Sequence, residues 1–97
     1  MLSSDGIVWD PASEHFYVAD LLGNAIHSVD TDGQVNLVYR NGDTDGSNGL
    51  LDQPAEVLVR GNQLIVVNMD VGWLLPEGVA VNTRTDKPYT VSVITRN

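Results

Sequence analysis

The chain has no cysteine, only five basic residues and no apolar run that approaches a membrane span. Without cysteine there is no disulfide framework and no thiolate metal site. Five Lys and Arg against thirteen Asp and Glu leave a formal net charge of −8. A nucleic-acid binder needs a basic footprint, so that class is excluded, whereas cationic partners or divalent metal suit the charge. A transmembrane helix needs roughly 20 apolar residues in a row, so a membrane partner is not expected either. The opening MLSSDGIVWD lacks the basic and apolar regions of a secretory leader. The compartment stays open between a cytoplasmic protein and one secreted after loss of an upstream signal. Helical periodicity is absent as well, at least to residue 60.

What the chain does have is apolar residues, 42% of its composition, too many for a disordered segment. Ninety-seven residues make at most one domain, here 1–97, with a modest core. The dominant hydrophobic period is two. GIVWD (6–10), HFYVA (15–19), AIHSV (25–29) and QVNLVY (34–39) are short runs bounded by Asp, Asn, Gly or Pro, which predicts strands. Asp10-Pro11 and Asp32-Gly33 predict turns.

NGDTDGSNGLLDQP (41–54) has no usable period and predicts a long surface loop. The strand pattern then restarts. AEVLVR (55–60) takes the place of the first run, Gly61-Asn62 predicts a tight turn, and QLIVVN (63–68) matches HFYVAD. Leu64 follows Phe16, and Asn68 follows Asp20, at a spacing of 48, a period in the range of propellers and solenoids. Residues 69–88 read as an insertion, with a further short strand around Val79–Val81, and YTVSVIT (89–95) as the last strand. The expected fold is all-β: two antiparallel four-stranded units, the second with three clear strands. The first spans about 4–40 and the second about 55–97, with the loop between them. A four-stranded meander repeated in this way is a propeller blade.

These segments resemble a known family. DGIVWDPASEHFYVADLLGNAIHSVDTDG resembles the blade signature of the senescence marker protein, gluconolactonase and luciferin-regenerating enzyme family, much of which NHL-repeat propellers share. The features that carry it are Asp5-Gly6-Ile7, FYVAD at 16–20, Asn24 before Ile26, and VDTDG at 29–33. GLLDQPAEVLVRGNQLIVVN (49–68) resembles the start of the next blade. The resemblance implies a six-bladed propeller with a divalent metal in its central channel (calcium, or zinc, magnesium or manganese) and hydrolysis of lactones or related esters. It implies a metal held by a Glu, two Asn and an Asp from several blades. Asp5 alone matches, as the metal-binding Asp at the top of an inner strand. The chain then reads as the C-terminal two blades of a larger propeller, probing no lactone chemistry on its own because the Glu and both Asn lie on other blades.

The residues themselves weigh the same candidates. The Asp5 carboxylate is a hard oxygen donor that suits calcium or magnesium, with turn capping as its structural alternative. Glu56, one blade on, could line the same channel, but a solvated strand-end charge is the simpler reading. Asp20 and Asn24 are expected to bond to turn backbone, with Gly23 supplying a positive φ. Asp43, Asp45, Asn48 and Asp52 share a loop of calcium-site composition. Counted from Asp43, however, the sixth and twelfth positions are Asn48 and Pro54, so the EF-hand template fails. His15 and His27 read as partly exposed strand residues, and Trp9, Trp73, Tyr17 and Tyr89 as packing between blades.

Two function classes follow. One is the C-terminal part of a metal-dependent lactonase-like hydrolase. The other is a non-catalytic NHL-like module that binds a protein or carbohydrate through loops 41–54 and 69–88. Two blades alone leave two apolar outer faces, so self-association is a further expectation: three copies would close a six-bladed ring by heterologous contacts.

Overall fold

Short apolar runs punctuated by turn residues fold as they should. In the computed structural model, which describes residues 1–42, 44–69 and 90–96, the described residues form seven strands. They are β1 (Ser4–Asp10), β2 (His15–Asp20), β3 (Ala25–Val29), β4 (Val35–Arg40), β5 (Pro54–Arg60), β6 (Gln63–Asn68) and β7 (Val91–Thr95). No α-helix occurs among the described residues, nor any helix long and apolar enough to cross a membrane. The strands make two antiparallel sheets, one in the order β1-β2-β3-β4 and one in the order β5-β6-β7. The strand expected around Val79–Val81 lies outside the described residues, as do Trp73 and Tyr89.

The two sheets share a plan. Phe16 pairs with Trp9 and Val29 in the first, and Leu64 pairs with Val59 and Ile94 in the second. Aligned this way, β2 maps onto β6 at the expected spacing of 48. The first strands map at 50, from Trp9 to Val59, and the third strands at 65, from Val29 to Ile94. The difference between the first strands lies in the turn that follows them. Asp10 pairs with His15 across a four-residue turn, whereas Arg60 pairs with Gln63 across the two-residue turn Gly61-Asn62. Gly61 meets the demand of that tighter turn with φ 57.

Each strand alternates its side chains between two faces. Val8, Tyr17, Ala19, Ile26 and Val38 of the first sheet pack against Val57, Val59, Leu64, Val66 and Ile94 of the second, with Leu51 in the same core. The opposite faces carry exposed apolar residues: Ile7, Trp9, Phe16, Val35 and Leu37 on the first sheet, and Leu58, Val67, Val91 and Val93 on the second. Trp9 therefore meets Phe16 in a tilted contact, ring centroids 4.8 Å apart, on an outer face and not between the sheets. Tyr17, one parity step away, does enter the core.

The segment 41–54 departs from the expected surface loop. It contains a short 3-10 turn, Ser47–Gly49, and then runs inward, so that Leu51, Asp52, Gln53 and Pro54 are all buried. A side chain of its own and two from the second sheet hold it. Asn41 Oδ1 accepts the Leu51 N–H, Asn68 Oδ1 accepts the Asp52 N–H, and Ser92 Oγ donates to the Leu50 carbonyl. A buried connection is tolerable only when its backbone polar groups find such partners.

Candidate functional site

The head of β1 is irregular. Ser4 pairs with Asp20, but the next pair is Ile7 with Val18, so Asp5 and Gly6 sit in a bulge. Bulges re-aim side chains and recur beside active sites. The second sheet has a matching irregularity between Pro54 and Glu56. The two bulges meet: a Cβ on Gly6 would lie 2.6 Å from the Ala55 carbonyl oxygen and would overlap Glu56 Oε1. Only glycine lets β1 approach β5 this closely, and that approach brings Asp5 and Glu56 to one end of the paired sheets.

Both carboxylates are exposed. Glu56 Oε1 accepts the N–H of Val57 at 3.0 Å, which ties it to its own strand end. Together they offer hard oxygen donors of the right kind, but calcium takes roughly six to eight. Among the described residues no group of three His, Cys, Asp or Glu side chains stands close enough to hold a metal. Asp5 and Glu56 by themselves fall short of that number. Asp43 lies outside the described residues, while Asp45 accepts the Ser47 N–H of its own turn.

Asp20 takes a different role from any surface acid. It is fully buried and accepts three backbone N–H groups, from Leu2 (3.0 Å), Ser3 (2.8 Å) and Gly23 (3.0 Å). His27 Nε2 lies 3.0 Å from its Oδ2. Burial by itself would raise the Asp20 carboxyl, but the three N–H donors and His27 outweigh it and hold it below the ordinary carboxylate range. The arrangement straps the N-terminal residues across the β2–β3 turn. His27 is buried and not half-exposed as its sequence suggested, because it lies beside this carboxylate. Among the described residues the pair's hydrogen bonds run to the backbone of Leu2, Ser3 and Gly23.

Asn24, not Gly23, carries the positive φ of that turn, at 49. Gly23 is required for space instead, since a Cβ there would overlap the Asp20 carboxylate. The Asn24 side chain reaches across to the buried connection. Nδ2 donates to the Leu51 carbonyl (3.0 Å) and the Gly42 carbonyl (2.7 Å), and Oδ1 accepts the Gln53 N–H (2.8 Å). His15, by contrast, stays half-buried with Nδ1 2.6 Å from the Ser13 carbonyl.

The opposite end of the sheets holds a cluster that sequence alone did not single out. Arg96 Nη1 donates to Asp10 Oδ2 (2.5 Å) and to the Tyr17 hydroxyl (3.1 Å), and its Nη2 donates to the Gly61 carbonyl. The guanidinium also lies over the Tyr17 ring, 5.3 Å from its centroid. The Arg96 hydrogen bond first, and the Ser13 hydroxyl second, lower the Asp10 carboxyl from 3.8 to about 2. A cavity of about 350 Å³ opens here, and a groove of about 580 Å³ runs between β4 and β7, lined by Val38, Tyr39, Asn48, Gly49 and Val93 to Arg96. A lone arginine after the last strand has no sequence signal that would pair it with an aspartate 86 positions away.

No protein-family model matches the chain, and no curated protein matches it either.

Proposed function

We propose that the chain is two adjacent blades of a β-propeller, and that it forms part of a metal-dependent lactonase-like hydrolase of the senescence marker protein and gluconolactonase type. One observation carries the reading. The inner strands β1 and β5 run together through matched bulges, and this gathers Asp5 and Glu56 at one mouth of the contact. In a propeller that mouth borders the central channel. Asp5, with Glu56 beside it, would help hold a divalent ion there, and such an ion would supply Lewis-acid chemistry for lactone hydrolysis. The acids of this chain contribute carboxylate oxygens to such an ion, and other blades complete the shell. Titration with calcium, then zinc, magnesium and manganese, followed by calorimetry, tests this. Weak binding on the order of millimolar is expected, reduced at least about tenfold in Asp5→Ala. An unchanged titration removes Asp5 from the site.

The groove between β4 and β7 favours a second reading, a non-catalytic module for a protein or carbohydrate partner. Asn48 and Gly49 of the 41–54 segment line it, beside Tyr39. Peptide and glycan panels probed with the wild type and with Tyr39→Ala discriminate. Equal binding by both discards the groove.

A further inference from the structure

The contact between the two sheets joins unlike faces. Under the alignment of the repeats, Ile7, Trp9 and Phe16 of the first sheet correspond to Val57, Val59 and Leu64 of the second. Likewise Val8, Tyr17, Ala19 and Ile26 correspond to Leu58, Ile65, Val67 and Val91. Inside the chain, the Val8–Ile26 face of the first repeat meets the Val57–Leu64 face of the second. What stays open is therefore the other half of each pair. The first sheet shows Ile7, Trp9 and Phe16 of the face that the second has buried, with Val18 and His27 of that face themselves covered, and the second shows the face that the first has buried.

The exposures state it directly. Ile7 is 59% exposed, and its counterpart Val57 is 0% exposed in the contact. Val91 is 56% exposed, and its counterpart Ile26 is 0%. A contact between unlike faces does not exhaust itself, because each added unit presents the same two faces again. Apolar faces of this kind mark interaction sites.

We infer that the open faces are a head-to-tail self-association surface whose occupant is a second copy of this chain. The outer face of the β5-β6-β7 sheet of one copy takes the outer face of the β1-β2-β3-β4 sheet of the next, repeating the contact already built within each chain. A net charge of −8 on every copy opposes the association, and salt screens that repulsion. Association therefore strengthens with ionic strength. Rings form if the rotation closes, and open chains if it does not. This inference uses only the contact inside the chain and is independent of the hydrolase reading, which the metal titration judges separately.

Sedimentation velocity over a concentration series, at low and high salt, tests it with two exposed-face variants, Ile7→Lys and Val91→Lys. Both positions are on open faces, and circular dichroism checks that each variant folds. The wild type is expected to form species larger than a dimer. Each variant alone stays monomeric, its self-association at least about tenfold weaker, since one apolar half of the contact now carries a charge. An equimolar mixture of the two gives a heterodimer and nothing larger, because one intact half remains on each. The double variant is monomeric with or without a partner. A wild type that stays monomeric at every concentration and salt overturns the inference. So does a single variant that dimerises with itself, since that requires a contact between like faces.

Discussion

Replacing Asn24 probes how the two sheets are locked together. Three contacts leave with an Asn24→Ala change, and their costs differ. The exposed Gly42 carbonyl recovers its hydrogen bond from water. The Leu51 carbonyl keeps the Thr44 hydroxyl, so only the net value of one bond is lost there, about 1 kcal/mol. The Gln53 N–H loses its Asn24 acceptor at a buried site, which costs about 1–3 kcal/mol. Alanine must also adopt φ 49, which adds about 1 kcal/mol. The sum is about 3–5 kcal/mol, a large share of the roughly 5–15 kcal/mol that holds a small domain. Asn24→Gly loses the same bonds but tolerates the φ, so it should sit about 1 kcal/mol above the alanine variant. Urea unfolding followed by circular dichroism, at one low protein concentration, measures both. An alanine variant within about 1 kcal/mol of the wild type, or a glycine variant less stable than alanine, refutes the account.

The remaining predictions concern the two ends of the sheet contact. Gly6→Ala should destabilise by about 1–3 kcal/mol, since its new methyl meets the Ala55 carbonyl and the Glu56 backbone. Adding Glu56→Ala should not restore stability, and full rescue in the same urea assay would show that only a movable side chain was in the way. Asp10 has a depressed carboxyl, so its stabilising contribution is complete above about 3.8 and disappears as the pH falls towards about 2. Arg96→Met should therefore lower stability at neutral pH and flatten the loss between pH 4 and 2, read as melting temperature against pH. Some acid slope must persist in that variant, because Asp20 is depressed as well and does not depend on Arg96.

The strands were legible because half-buried strands betray themselves by alternation, and all seven described strands coincide with predicted runs to within two residues at either end. Leu51 to Pro54 were not legible. Their burial depends on Asn24 and Asn68 reaching them from a distant turn and strand, and no local period records that. The two-residue drift of the repeat, from 48 to 50, was hidden for the same reason: pairing is decided by turn length, and the turn at Pro11–Glu14 is two residues longer than Gly61-Asn62. The candidate Asp5 was visible through its place in DGIVWD, while the bulge that orients it and the Gly6 approach that sets it near Glu56 were not.

By itself, then, the order of residues determined the all-β character, the turns, the repetition and the acidic balance, because each of these is a local or compositional property. Tertiary structure alone decided which face of each sheet is covered. Strand alternation assigns side chains to two faces but leaves both apolar here, and only the packing of one sheet on the other selects the pair that is buried and the pair that remains open.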